Sequence, residues 1–128
     1  MKKILIVDDE KDLVEIVKMS LEPLGYEVFE AYDGSEGLEK ARQVKPDLII
    51  LDLMLPKMDG YQVCRILKFD VNFKHIPIIL FTARAGRDDI EKGKEAGADA
   101  FITKPFKHEV VNDGGELLKV IKKLLKTG

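Results

Sequence analysis

Leu48-Ile49-Ile50-Leu51-Asp52-Leu53-Met54-Leu55-Pro56 lies near the middle of the chain. Four consecutive apolar residues run straight into one aspartate, and Pro56 and Asp59-Gly60 follow within a few positions. An apolar run of strand length, closed by turn residues, reads as a strand buried on both faces. Asp52 therefore stands where a buried strand ends. In open parallel α/β sheets that edge is where ligands bind. A carboxylate there needs a partner, because burying an unpaired charge is costly.

Outward from this stretch the same grammar repeats. Ile4-Leu5-Ile6-Val7 is a second doubly buried strand, ended by Asp8-Asp9-Glu10. Between Lys11 and Leu24, apolar residues at 13, 14, 16, 17, 21 and 24 have helical spacing, with acids at the start to suit the helix dipole and Pro23 and Gly25 at the end. Residues 27–31 predict a weaker, more polar strand. Asp33-Gly34-Ser35 opens a helix through Ala41, with Leu38 and Ala41 facing inward, and Lys45-Pro46-Asp47 stops it. Beyond Asp52, a helix starts at Asp59-Gly60 with Val63, Ile66 and Leu67 expected on its inner face. Ile78-Ile79-Leu80-Phe81 is a strand ended by Thr82-Ala83. A polar helix from about Arg87 to Ala96 closes on Gly97. Ala100-Phe101-Ile102-Thr103 is the fifth strand, ended by Lys104-Pro105-Phe106, and Leu117, Leu118, Ile121, Leu124 and Leu125 mark the last helix.

Five strands alternating with helices through short connections give a doubly wound parallel sheet with helices on both faces. The less apolar second and fifth strands suit the edges. This favours the flavodoxin-like order 2-1-3-4-5.

The 128 residues make one domain with room for a core, and 45% apolar and 34% charged residues are ordinary for a globular protein. A net charge of −2 gives no electrostatic case for direct nucleic-acid or anionic membrane binding. The apolar runs are too short for a membrane span. Met1-Lys2-Lys3 and four apolar residues make no signal peptide. The single cysteine, Cys64, excludes an internal disulfide, fits a cytoplasmic location and reads as a buried, inert thiol.

All C-terminal strand ends of a parallel sheet share one edge, and neighbouring strands lie about 4.8 Å apart. Asp8 and Asp9, Asp52, Thr82 and Lys104 can therefore meet, although they span nearly the whole chain. Three carboxylates against one lysine leave an acidic excess. Two carboxylates ~5 Å apart at an effective dielectric of ~20 repel by roughly 3 kcal/mol. A divalent cation would cancel the excess, and a donor set of hard oxygens, with no His or Cys, selects Mg²⁺ over Zn²⁺. Lys104 and the Thr82 hydroxyl supply donors for phosphate oxygens. A carboxylate beside a metal and a lysine is a plausible nucleophile toward phosphorus. A phosphatase would want a second acid near it. Leu53, Met54 and Leu55 offer none, which favours a protein that takes a phosphoryl group and holds it.

Four motifs carry a resemblance: Val7-Asp8-Asp9-Glu10, the run from Leu51 to Gly60, Phe81-Thr82-Ala83, and the run from Gly97 to Phe106. In this order and spacing, the chain resembles the receiver domain of two-component response regulators from residue 1 to about 107. The resemblance implies that Asp52 accepts phosphate from a histidine kinase or histidine phosphotransfer protein. It implies that Asp8, Asp9, Asp52 and the Met54 carbonyl hold Mg²⁺, and that Lys104 pairs with the phosphoryl group. It further implies that Thr82 moves to bond the phosphoryl group, Phe101 swings inward with it, and a cis bond to Pro105 orients Lys104. Met54 and Arg84 would influence dephosphorylation. The output would be the face of the fourth helix, fifth strand and last helix, for a downstream protein partner or a phosphorylation-dependent homodimer.

The chain departs from the family over residues 107–115, where two adjacent glycines would cost about 1 kcal/mol each in a helix. A turn is expected there, with the last helix over 116–126.

Each residue also has a plainer reading. Asp8 and Asp9 could be ordinary helix-start acids, Phe101 simply core, and Lys104 a solvated lysine. His75 and His108, in expected loops without acidic or thiol partners, read as surface residues. Lys119, Lys122, Lys123 and Lys126 read as a solvated basic helix face. The alternatives in function are a Mg²⁺-dependent phosphohydrolase using Asp52, an FMN carrier on the same fold, and a degenerate receiver serving as a scaffold. Asp8-Asp9-Glu10 would repel the phosphate of FMN, and the acceptor set looks complete. With no second domain in 128 residues, the expected output is a protein partner or a phosphorelay, unless the chain is part of a longer regulator.

Overall fold

The apolar runs pair as five parallel strands: β1 (Lys3–Val7), β2 (Glu27–Ala31), β3 (Leu48–Leu51), β4 (Ile78–Thr82) and β5 (Ala100–Thr103), in the order β2-β1-β3-β4-β5. The computed structural model describes residues 1–105 and 115–126. The weaker strands take the two edges, as expected. Helices α1 (Lys11–Leu21), α2 (Gly34–Val44), α3 (Gly60–Lys68), α4 (Arg87–Glu95) and α5 (Gly115–Leu125) fill the connections. A 3₁₀ turn over Glu22–Leu24 ends the first helical run, with Gly25 beyond it at φ 97°.

Alternation along the strands builds two cores. Leu5, Val7, Ile49, Leu51, Ile78 and Leu80 point to the side of α2, α3 and α4, meeting Leu38, Ala41, Val63, Cys64, Leu67 and Ala96. Ile4, Ile6, Leu48, Ile50, Ile79 and Phe81 point the other way, onto Val14, Val17 and Leu21 of α1 and Leu117, Leu118 and Ile121 of α5. Both faces of the middle strands are thus closed to water. That is why their sequences are continuously apolar rather than alternating.

Register sets the functional edge. Val7 pairs with Leu51, Leu51 with Leu80, and Thr82 with Thr103. The ladder runs one step past the strands, where Asp52 N–H donates to the Val7 carbonyl at 3.0 Å and Lys104 N–H to the Thr82 carbonyl at 2.8 Å. Asp8, Asp52, Thr82 and Lys104 therefore come to one edge.

Two expectations change. On α3 Ile66 is exposed rather than on the face of Val63 and Leu67, while Cys64 is buried with them, as expected of that thiol. The last helix starts at Gly115 rather than Glu116. Of the expected turn over 107–115, residues 107–114, His108 among them, lie outside the described residues. His75 is exposed, as expected.

Candidate functional site

Four elements deliver the site. β1 ends in Asp8, which is buried, with Asp9 and Glu10 exposed beside it. β3 ends in Asp52, also buried. Its two oxygens are already oriented: Oδ2 lies 3.0 Å from Lys104 Nζ, and Oδ1 accepts from Met54 N–H at 3.2 Å. The loop after Asp52 can turn back tightly because residue 60 is glycine. A Cβ there would collide with the Asp52 carbonyl and the Leu53 Cα. Asp59 then caps α3, its side chain accepting from Gln62 N–H at 3.0 Å.

Lys104 closes the site. Its Nζ lies 3.0 Å from each of Asp8 Oδ2, Glu10 Oε1 and Asp52 Oδ2, and its side chain is only 9% exposed. Burial alone would discourage the ammonium charge. Hydrogen bonds to Asp52, Asp8 and Glu10 outweigh it, and the lysine is held above its ordinary pKa. For Asp8 burial wins: its pKa is raised, although Glu10 N–H and Lys104 pull it down. The bond from Lys104 to Pro105 is cis, as the resemblance implied.

Carboxylate oxygens of Asp8, Glu10 and Asp52 lie within 4.8 Å of one another. Glu10 is the member that sequence reasoning missed. In the sequence it only closes the run Asp8-Asp9-Glu10, and nothing in the spacing reveals its reach to Lys104. Asp9 is not in that group. It lines, with Glu10, Asp52, Met54, Thr82, Ala83 and Lys104, a cavity of about 260 Å³ at the strand edge. Met54 is 58% exposed at its rim. The Glu10 contact also changes the argument against a hydrolase. Leu53, Met54 and Leu55 supply no acid, but Asp8 and Glu10 stand near Asp52 in space.

Thr82 is fully buried, and its Oγ1 accepts from Arg84 N–H at 3.2 Å. Phe101 is half-buried against α4. A Cβ on Gly93 would come within 3.1 Å of its ring, so the glycine lets the ring approach the helix. Phe101 thus sits at the α4–β5 junction and does not line the acidic cavity. Arg84 and Asp89 form an ion pair at 3.0 Å, with Tyr61 of α3 beside them. Burial and the neighbouring Asp89 push the Tyr61 phenol up to about 12.

A 2-1-3-4-5 parallel sheet with an acidic cleft and a half-buried lysine at its C-terminal edge is a domain of the flavodoxin-like class. The family model for the response regulator receiver domain matches residues 4–114. The chain belongs to that receiver domain family. It is 48% identical over 111 residues to the alkaline phosphatase synthesis transcriptional regulatory protein PhoP of Bacillus subtilis, covering 87% of this chain and 45% of that protein. It spans about half the length of the curated relatives it matches. Among solved structures, chemotaxis protein CheY4 of Vibrio cholerae superposes with a TM-score of 0.87 at 32% identity, covering 97% of this chain and 98% of that one. The receiver domain of sensor histidine kinase PA1611 from Pseudomonas aeruginosa, with magnesium coordinated in its active-site cleft, gives 0.85 at 30% identity and covers 98% of each chain.

Proposed function

We propose that Asp52 is the phosphoryl acceptor of a two-component signalling switch. The observation that carries this is the state of its carboxylate. It is buried at a strand end, oriented by Lys104 and by Met54 N–H, and open to a cavity lined by further acids and Thr82. An oxygen of Asp52 forms the new O–P bond while the bond from phosphorus to the donor's leaving atom breaks, the electron pair leaving with the donor. For a phosphohistidine donor that atom is an imidazole nitrogen, and a ring protonated at its other nitrogen leaves as neutral imidazole. Lys104 balances charge on the transferred group, and the Thr82 hydroxyl turns to donate to one of its oxygens.

The donor set fits Mg²⁺: it is all hard oxygen, with negative charge in excess of its one lysine. Asp8, Asp9, Asp52 and the Met54 carbonyl would hold the ion, with Glu10 beside them. When bound it would neutralise the acidic site and so let an anionic phosphoryl group approach. The domain acts as a switch rather than an enzyme, with self-dephosphorylation at most slow. Its donors are a histidine kinase or histidine phosphotransfer protein in the cytoplasm. A downstream protein partner or a homodimer reads the face of α4, β5 and α5, where Phe101 lies.

Reduction with borohydride tests the assignment, since it converts an aspartyl phosphate to homoserine. After incubation with acetyl phosphate and Mg²⁺, the peptide holding residue 52 is expected to carry the homoserine, and the peptide from unphosphorylated protein to lack it. Modification elsewhere would contradict the assignment. Because Glu10 stands near Asp52, the hydrolase reading has its own check. Sustained turnover of p-nitrophenyl phosphate, lost in Glu10→Gln, would replace the switch by a phosphohydrolase.

A further inference from the structure

Asp89 ties the loop after β4 to α3. Its Oδ2 accepts from Gly86 N–H at 3.0 Å, and its Oδ1 lies 3.0 Å from Arg84 Nε and 3.3 Å from the Tyr61 hydroxyl. The same hydroxyl lies 3.0 Å from the Asp89 carbonyl, so its proton is shared between two oxygens of one residue. Arg84 is also the residue whose N–H donates to Thr82 Oγ1. The chain of contacts runs from α3 through Asp89 and Arg84 to the hydroxyl at the bottom of the acidic cavity.

We propose that Tyr61 and Asp89 are positioning residues: with Arg84 they clasp the loop after β4 in the arrangement where the Thr82 hydroxyl serves the Arg84 N–H, and the clasp opposes the turn of Thr82 toward a phosphoryl group on Asp52. This rests on the proposed function of Asp52. A hydroxyl changing rotamer swings by about 120°, so Oγ1 cannot keep its bond to a fixed Arg84 N–H while reaching a new acceptor. Either that N–H loses its partner or Arg84 moves. Arg84 is held at its side chain by Asp89, which is mostly buried and held in turn by Tyr61 and Gly86 N–H. Loosening any link favours the turned state. By reciprocity, the factor by which the clasp weakens phosphoryl binding is the factor by which phosphoryl binding weakens the clasp.

Tyr61→Phe removes one hydroxyl and leaves the ring packing intact. The probe is beryllium trifluoride with Mg²⁺, a phosphoryl mimic, titrated calorimetrically into the whole chain, with Mg²⁺ alone titrated separately. Tyr61→Phe is expected to bind the mimic about fivefold more tightly than the native chain, the worth of one ordinary hydrogen bond. Its affinity for Mg²⁺ alone should be unchanged. Asp89→Asn should act in the same direction. In a Thr82→Ala background the gain from Tyr61→Phe should vanish, because no hydroxyl is left to release. Equal mimic binding by native and Tyr61→Phe chains would overturn the clasp. So would a parallel change in Mg²⁺ affinity, or a gain that survives in Thr82→Ala. A native chain that binds Mg²⁺ but not the mimic would overturn the function of Asp52, and the clasp with it.

Discussion

Replacing Lys104 by Met leaves Asp8 and Asp52 buried with no cation between them. Breaking a buried pair in this way costs about 3 kcal/mol. Urea unfolding of Lys104→Met is expected to show that loss without Mg²⁺ and partial recovery with it. Recovery fails if the acids do not hold the ion. The lysine and the aspartates were legible in the sequence because each ends an apolar run, and the sheet brings such ends together. Glu10 was not, because its contact depends on the length and rotamer of an exposed side chain. The Tyr61–Asp89–Arg84 contacts were not legible either. They join ordinary residue types on three elements with no periodicity among them. Tyr61 gives a pH test of that network. Its pKa in the folded chain, about 12, lies above the ordinary tyrosine value near 10, so the protonated form is the one folding favours. Its contribution to stability is complete below pH 10 and is lost as pH rises toward 12. The alkaline absorbance titration should therefore contain a component near 12 that Tyr61→Phe removes. If the two titrations coincide, the hydroxyl is not bonded as described. Cys64 is held higher than an ordinary thiol, to about 12, by burial, and should resist alkylation until the chain is unfolded.

At the scale of elements, the turn between β3 and α3 decides whether Asp52 is placed correctly. Gly60→Ala puts a methyl group into the Asp52 carbonyl and Leu53 Cα, and the loop must move. A destabilisation of about 1–3 kcal/mol is expected, as for other overpacked sites, with a fall in phosphoryl incorporation larger than Asp59→Ala produces. Asp59→Ala removes only the helix cap, worth about 1 kcal/mol. Equal effects of the two variants on incorporation would mean that the loop position is not what Gly60 secures. Boundaries of the elements were readable from turn residues, and Gly97, at φ 95°, closes α4 where the sequence placed it. The inner face of α3 was misread at one position. With about 100° per residue, Gly60, Val63, Cys64 and Leu67 form one stripe, and Ile66 falls about 60° outside it. Its hydrophobicity suggested burial, and the geometry of the helix decided otherwise.

Among the described residues, the whole molecule is one five-stranded sheet with an acidic excess at its C-terminal edge. Order, pairing and both cores followed from five apolar runs and their connections. The charge balance at the edge was also legible, since it needs only the strand ends. Lys104 offsets only part of the repulsion among these carboxylates, so a bound divalent cation is expected to stabilise the fold. Mg²⁺ at 100 times its dissociation constant is expected to stabilise the native chain by about 2.7 kcal/mol, read as a rise in unfolding midpoint. Asp52→Ala should shrink that rise. An undiminished rise would place the ion elsewhere.

Whether Asp52 accepts one phosphoryl group and keeps it can be read from the intact mass of the chain. The native chain and Asp52→Ala are incubated with acetyl phosphate, with Mg²⁺ and with a chelator. The expected result is one phosphoryl adduct on the native chain, dependent on Mg²⁺ and absent from Asp52→Ala. A native chain that binds Mg²⁺ yet gains no adduct, or an adduct of equal yield on Asp52→Ala, would contradict it.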